Sequence, residues 1–243
     1  MMYAALARVY DLLSYDFDYP AWIERYEALI RRVNPNAHEI CDAGCGTGAL
    51  TIGLSQKGYK LTGIDLSGDM LSVASDKARK AGQQIAFVKQ DMRALALPHP
   101  VDAVISACDG VNYLTKPEAV KSFFSSARAC LKPGGALAFD ISNEKKLTDM
   151  GAEGIFAEET DECAYLWQNE FNEETRLLRM DLSFYIKAPD GRYDRYEETH
   201  RQRAWRSGEI GQLLLESGLC DIAVLGSDAG DEKRIFFSAK KPE

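Results

Sequence analysis

Three glycines stand at alternate positions in the stretch ICDAGCGTGAL, which covers residues 40–50. They are Gly44, Gly46 and Gly48, and they follow a short apolar run that is typical of a buried strand. Glycine lets the backbone turn sharply, and it lets backbone N–H groups approach a bound molecule closely. The pattern therefore predicts a ligand-binding loop between a strand and the helix that follows it.

Two kinds of cofactor fit such a loop. Gly44, Gly46 and Ala49 match the dinucleotide fingerprint G-x-G-x-x-G/A, and Asp65 stands about twenty residues on, where a ribose-binding acid belongs. Asp42, however, ends the strand itself. Its carboxylate would repel a pyrophosphate, whereas it suits the ammonium group of an amino-acid ligand. The loop by itself leaves both readings open.

The segments around the loop resemble, in the same order, the motifs of class I S-adenosylmethionine-dependent methyltransferases. DAGCGTG resembles the first motif, D/E-x-G-x-G-x-G, and GIDLSGDML resembles the second strand with its ribose-binding acid. KQDMRAL resembles the segment that flanks the adenine, and LKPGGALAF resembles the turn into the fifth strand. The resemblance covers residues 34–141 and the closing strands. It implies S-adenosylmethionine as cofactor and S-adenosylhomocysteine as its product.

The resemblance also implies a role for each matching position. Asp65 would accept hydrogen bonds from both ribose hydroxyls, and Asp91 would accept one from the adenine amino group, with Met92 packed on the ring. Cys108 would end the fourth strand at the crevice where open α/β sheets bind ligands. The donor-binding residues predicted in this way are Asp42, Gly44, Gly46, Gly48, Asp65, Leu66, Asp91, Met92 and Cys108.

A narrower resemblance extends to the rest of the chain. YAALARVYDLLSYDFDYPAWIERY, CDGVNYL and DGRYDRYEETHRQRAW resemble a family of small bacterial methyltransferases of unassigned acceptor. That family is related in layout to N-methyltransferases of glycine and amino sugars. The resemblance implies an in-line SN2 transfer to a small molecule, which we expect to be an amine. A protein or RNA acceptor, an NAD-dependent oxidoreductase and a non-catalytic cofactor-binding module are the alternatives.

An amine must be neutral before it can accept a methyl group, so we looked for groups that can take its proton. The catalytic candidates are His200, Tyr10 and Asp109, of which His200 is the only histidine in residues 145–206. It shares one face of a predicted strand with other polar groups, and this face either lines the acceptor pocket or is solvated. The predicted acceptor-pocket residues are Tyr3, Asn112, Tyr113, Trp167, Tyr196, Glu198 and Arg203.

Strands and helices alternate over residues 38–141, which predicts a parallel sheet covered by helices. We expect an α/β, Rossmann-like sheet of seven strands, mostly parallel and with the last strand antiparallel. Three long strands, at residues 158–169, 175–187 and 193–205, predict an antiparallel meander. We interpret residues 145–206 as an inserted lid within a single methyltransferase domain of residues 1–243.

Composition restricts the partners. The net charge of -8, from 29 basic and 37 acidic residues, disfavours binding to DNA. No apolar run reaches the ~18 residues of a membrane span, and the N-terminus lacks the features of an export signal. Six scattered cysteines form no zinc set, and clustered metal-binding acids are not expected because Asp140 falls within a strand. We predict a cytoplasmic enzyme without metal, as a monomer or homodimer.

Overall fold

The computed structural model describes residues 7, 10–11, 17–188, 190–230 and 232–243. In chain order its helices and strands are α1 (Tyr19–Val33), β1 (Glu39–Ala43), α2 (Ala49–Gln56), β2 (Lys60–Asp65), α3 (Gly68–Lys80), β3 (Ala86–Lys89), β4 (Val101–Ser106), α4 (Pro117–Cys130), β5 (Leu131–Ser142), α5 (Glu144–Glu153), β6 (Ile155–Glu159), β7 (Cys163–Asn172), β8 (Leu177–Lys187), β9 (Tyr193–Arg203), α6 (Ser207–Glu216), β10 (Cys220–Leu225) and β11 (Arg234–Lys240). Two 3-10 helices, Met92–Ala94 and Gly110–Tyr113, follow β3 and β4. Within these described residues, no helix is both long and apolar enough to cross a membrane.

Seven strands form the central sheet in the order β10-β11-β5-β4-β1-β2-β3. Pairing from β3 across to β5 is parallel throughout, and β11 runs antiparallel to both of its neighbours. The predicted Rossmann-like sheet with its antiparallel last strand is therefore confirmed. In such a sheet the parallel strands end at one edge, which is where the loops that follow β1, β2 and β4 come together.

The sheet is apolar because both of its faces are covered. Along β4, Val104 joins the core cluster that contains Phe123 of α4, while Ile105 joins the cluster that contains Ile30 of α1. Successive side chains of a strand point to opposite faces, so a strand buried on both sides reads as a continuous apolar run. Burying each such side chain stabilises the fold by roughly 1.5–3 kcal/mol, and this packing holds the strand ends in place.

The segment between β5 and α6 forms a second, antiparallel sheet in the order β6-β7-β8-β9. Three strands were predicted here and four are present. The segment predicted as the first strand holds the end of β6, a bend and most of β7, because Thr160 accepts and donates hydrogen bonds with Cys163 that reverse the chain. Helix α5 was not predicted; Asn143 caps its start, and Gly154, at a φ of 74°, ends it.

Asn112 joins the two sheets. It is fully buried, and its Nδ2 donates to the carbonyl oxygens of Ser142 at 3.0 Å and Arg203 at 2.9 Å. Its Oδ1 accepts from the N–H of Ser142 at 2.9 Å. These bonds tie the 3-10 helix after β4 to the ends of β5 and β9. The side chain predicted for the acceptor pocket therefore holds the second sheet against the first.

Candidate active site

A cavity of about 530 Å³ opens at the edge where β1, β2 and β4 end. Its volume lies in the range of small-molecule sites, which is roughly 300–1,000 Å³. Residues of the loop after β1, the ends of β2 and β4, and the 3-10 helices after β3 and β4 line it. The predicted residues found in its wall are Tyr10, Asp42, Gly44, Gly46, Asp65, Leu66, Asp91, Met92, Cys108 and Tyr113.

The glycine loop adopts a conformation that side chains disfavour. Gly44, Gly46 and Gly48 have φ values of 85°, 53° and 76°, all in the left-handed region. A Cβ on Gly46 would meet no atom within 4 Å, whereas a Cβ on Gly48 would lie 2.9 Å from the Cβ of Ala74 in α3. Gly46 and Gly48 thus serve different purposes. Gly46 leaves space beside the cavity, and Gly48, which is absent from the cavity wall, lets α2 pack on α3.

Asp42 is a buried acid in the wall of the cavity. It lies in β1 with 1% of its surface exposed, and its Oδ2 accepts a hydrogen bond from Thr51 Oγ1 at 2.6 Å. Its Oδ1 is buried with no hydrogen-bond partner. Burial raises the pKa of Asp42 to about 7, helped by the nearby charge of Asp65 and opposed by Thr51. A cation that reached Oδ1 would satisfy this carboxylate.

Asp65 holds the loop from the end of β2. Its Oδ2 accepts from the N–H of Gly46 at 2.9 Å and its Oδ1 from the N–H of Ser67 at 2.8 Å. Burial raises the pKa of Asp65, although these backbone donors lower it in part. Leu66 follows with 60% of its surface exposed. It lines the cavity as an exposed apolar side chain.

Asp91 and Met92, which follow β3, form another part of the cavity wall. The carboxylate of Asp91 caps the 3-10 helix through the N–H of Arg93 at 2.9 Å, and it also binds the Arg93 guanidinium. That guanidinium holds the pKa of Asp91 below its usual range. Met92 packs against the main core cluster while lining the cavity. Arg93 also lines the cavity. The sequence did not predict this position, because no local pattern distinguishes Arg93 from an ordinary surface arginine.

The end of β4 is strained. Cys108 and Asp109 both have left-handed backbone conformations, with φ values of 57° and 58°. Such a conformation costs a residue with a side chain roughly 1–3 kcal/mol, and it persists where the surroundings enforce it. Cys108 lines the cavity, but Asp109 does not. The Asp109 carboxylate instead binds Arg234 at 2.9 Å and Gln202 Nε2 at 2.8 Å.

Arg234 explains that placement. One guanidinium nitrogen lies 2.9 Å from Asp109 and 2.6 Å from Asp140, and Tyr26 donates to the other oxygen of Asp140 at 2.6 Å. Burial alone would raise the pKa of Asp109, but Arg234 and Lys146 outweigh it and hold that pKa below its usual range. A carboxylate so stabilised is a poor base, which argues against the catalytic role predicted for Asp109. The one sequence signal of Arg234 is a basic residue at the start of an apolar strand.

A chain of hydrogen bonds leads from the cavity wall into the second sheet. The hydroxyl of Tyr113 lies 3.3 Å from His200 Nδ1, and His200 Nε2 lies 3.0 Å from an oxygen of Glu198. His200 has 2% of its surface exposed and Gln202 has 4%. This part of the polar face of β9 is therefore buried against the first sheet and is not solvated. His200 itself is absent from the cavity wall.

Three other predicted residues are absent from the wall of the main cavity. Trp167 lines a separate cavity of about 260 Å³, and Tyr196 packs against the apolar cluster beneath the second sheet. Arg203 stacks on Trp205 at 4.1 Å and lies 3.5 Å from Glu209. It is absent from the wall of the main cavity, although its Nη1 donates to the carbonyl oxygen of Thr115 in that wall at 3.4 Å. Tyr3 lies outside the described residues. Within the described part of the chain, no group of three or more potential ligands could hold a metal ion.

Comparison with known proteins gives a consistent result. A family model described as a methyltransferase domain matches residues 40–135. "Putative methyltransferase YqeM" of Bacillus subtilis (strain 168) is 35% identical over 249 residues, covering 99% of this chain and 98% of its own. A solved S-adenosylmethionine-dependent methyltransferase from Clostridium acetobutylicum ATCC 824 covers all of both chains with a TM-score of 0.81 and 28% identity. The sugar N-methyltransferase KedS8 from Streptoalloteichus sp ATCC 53650 shares the fold, with a TM-score of 0.78, 18% identity and 96% and 93% of the two chains covered.

Proposed function

Because this chain belongs to the class I S-adenosylmethionine-dependent methyltransferases, we propose that it methylates an amine of a small-molecule acceptor by in-line displacement. The observation that carries the proposal is the two-part lining of the main cavity. One part consists of acids, glycine backbone and the apolar side chains of Leu66 and Met92. The other includes the phenol rings of Tyr10 and Tyr113, and we infer that an acceptor meets the donor beside them.

The first part fits the donor. S-adenosylmethionine carries an α-ammonium group, a ribose with two hydroxyls and an adenine ring. The partnerless oxygen of Asp42 suits the ammonium, Asp65 suits the ribose, and Leu66 with Met92 supplies apolar surface for the ring. When bound, this group supplies a methyl carbon made electrophilic by a sulfonium. The protein contributes chiefly by holding the reactants in line, which can account for most of the acceleration.

The second part favours a small amine. Burial raises the pKa of the Tyr10 hydroxyl, so that Tyr10 stays a neutral hydrogen-bonding group at the cavity wall. KedS8 is named as a sugar N-methyltransferase, and its likeness extends over the second sheet as well as the first. We infer that residues 145–206 act as a lid that covers the acceptor. The strained Cys108 and the wall beside it would then face the methyl group.

The second candidate is a protein or RNA acceptor. The charge pairing on the outer surface of the second sheet disfavours it. Recognition of RNA would favour a basic rim that is available to phosphates. Three arginines of this sheet and its hairpin, Arg179, Arg192 and Arg195, are instead paired with acids two residues away. We place the enzyme in the cytoplasm, because its six free cysteines suit a reducing compartment.

The proposal is tested by measuring release of S-adenosylhomocysteine from S-adenosylmethionine in the presence of matched acceptor panels. One panel holds amines, including glycine and glucosamine, and the others hold phenols, carboxylic acids, and total RNA. We expect release above the acceptor-free rate with the amine panel alone, and mass spectrometry should find the methyl group on nitrogen. Release only with phenols, acids or RNA would contradict the amine acceptor.

A further inference from the structure

The proposed amine acceptor must lose a proton before it can be methylated. A small aliphatic amine arrives mostly as the ammonium ion at neutral pH, and an ammonium nitrogen has no lone pair to attack a methyl carbon. One proton must therefore leave before the transfer, and it needs an acceptor within hydrogen-bond reach. Asp109 is excluded by its pairing with Arg234, and His200 does not reach the cavity.

We propose that Tyr113, His200 and Glu198 form a proton relay that deprotonates the acceptor amine; this inference rests on the proposed function. Tyr113 is the catalytic residue, since it alone of the three lines the cavity. Its hydroxyl oxygen takes a proton from the ammonium nitrogen while its own hydrogen moves to His200 Nδ1. The nitrogen keeps the electron pair of the broken N–H bond, and His200 becomes an imidazolium.

The hydrogen-bond pattern assigns the tautomer that this step needs. Glu198 as a carboxylate can only accept, so the His200 Nε2 that lies 3.0 Å from it carries the hydrogen. Nδ1 is then the lone-pair nitrogen, and it can accept a hydrogen bond from the Tyr113 hydroxyl, whose oxygen lies 3.3 Å away. Glu198 acts as a positioning residue, because it fixes this tautomer and compensates the positive charge that the ring gains.

Burial keeps the relay isolated from water. The side chains of His200 and Glu198 are 2% and 5% exposed. Met180 of β8 stands opposite His200 and contributes no charge. The ionisable groups nearby include Tyr10, which lies close enough to Tyr113 for their charges to interact, and Lys116, which lines the same cavity. Asp109 is held by Gln202 of β9. A proton leaving the amine thus has a defined path and a defined counter-charge.

The first test reads the tautomer directly and needs no acceptor. The chain has three histidines, so protein labelled with 15N-histidine gives few ring signals, and a His200→Gln variant assigns the right one. We expect the Nε2–H tautomer of His200. In Tyr113→Phe, the Nδ1 signal should move towards the position of an imidazole nitrogen without a hydrogen-bond donor. An Nδ1–H tautomer, or an Nδ1 signal that Tyr113→Phe leaves in place, would overturn the relay.

The second test compares acceptors of different basicity, glycine and the less basic glucosamine. Tyr113→Phe should lower kcat with glycine about 100-fold and with glucosamine about tenfold or less, and raising the pH should restore the glycine rate. Glu198→Gln should lower kcat with glycine about tenfold. Tyr185→Phe removes a hydroxyl from the exposed face of the same sheet and should change neither rate. Equal losses with both amines would show that Tyr113 only shapes the cavity. Absence of amine methylation by the unaltered enzyme would refute the proposed function, while the tautomer measurement still decides the relay.

Discussion

Replacing Asp42 with asparagine separates the charge of this side chain from its shape. Burial raises the pKa of Asp42 from the usual 3.8 to about 7, and one of its oxygens has no partner. At about 1.4 kcal/mol per pKa unit, this difference means that the ionised carboxylate costs the folded protein about 4 kcal/mol. An asparagine side chain carries no charge, so the Asp42→Asn variant escapes that cost but also loses the attraction to a bound ammonium.

The sign of the effect on stability follows from the proton count. Between pH 3.8 and about pH 7 the folded protein holds a proton on Asp42 that the unfolded chain has released. The free energy of unfolding of the unaltered protein therefore falls as pH rises through this window. For Asp42 alone the fall between pH 5 and pH 8 is about 3 kcal/mol, and Asp42→Asn should lack it.

Binding should show the reverse pattern. The ammonium of S-adenosylhomocysteine prefers the ionised carboxylate, so its affinity for the unaltered protein should drop about tenfold for each pH unit below 7 and level off above it. Asp42→Asn should bind about 10- to 100-fold more weakly at pH 8, and its affinity should be flat over the same range. The exposed Asp76→Asn on α3 is the matched control.

Two assays measure these quantities. Urea unfolding at pH 5 and pH 8 gives the stability difference, and calorimetric titration with S-adenosylhomocysteine from pH 5.5 to pH 8 gives the affinity. Titrations in two buffers of different ionisation enthalpy also count the proton released on binding below pH 7. The reasoning about Asp42 is refuted if the affinity of the unaltered protein does not depend on pH, or if Asp42→Asn binds as tightly.

Four further substitutions, with Arg32→Met as a control, test other parts of the account. Gly46→Ala should lower the free energy of unfolding by about 1–2 kcal/mol and weaken S-adenosylhomocysteine binding. Gly48→Ala should lower the free energy of unfolding by more, because its Cβ would lie 2.9 Å from a neighbouring side chain. Urea unfolding measures the stability of both variants, and calorimetry measures their binding. Arg234→Met removes the ion-pair partner of the buried Asp140 and of Asp109, and it should lower the free energy of unfolding by about 3–5 kcal/mol. Arg32→Met, at a more exposed ion pair, should lower it by less than about 1 kcal/mol, and urea unfolding measures both. Asn112→Ala leaves three buried backbone groups without their partner and should cost about 3 kcal/mol; a loss below about 1 kcal/mol would refute its role between the sheets.

The cavity wall that we propose binds the donor could be predicted from sequence because its determinants are local. The glycines, Asp42 and Asp65 lie at strand ends, and parallel strands bring their ends to one edge whatever the rest of the chain does. Alternation of strands and helices predicted the seven-stranded sheet for the same reason. The prediction needed only the order of elements and not the packing of any one side chain.

The part of the site that we propose holds the acceptor could be predicted only in part, because it depends on contacts between distant segments. Arg234 is 125 residues from Asp109, and no periodicity announces that it draws this carboxylate away from the cavity. Strand alternation correctly placed His200 with Glu198 on one face, but whether that face is buried depends on Tyr113, 87 residues earlier. The bend at Thr160 was missed because a side-chain hydroxyl, and neither glycine nor proline, makes it.

The central claim is that the cavity beside the glycine loop is the donor site, and a crystal structure of the chain grown with S-adenosylhomocysteine tests it most directly. The account predicts the amino group of the product within hydrogen-bond distance of Asp42, its ribose at Asp65, and its adenine between Leu66 and Met92. Density for the product outside this cavity, or inside it with Asp42 still lacking a partner for its second oxygen, would contradict the account.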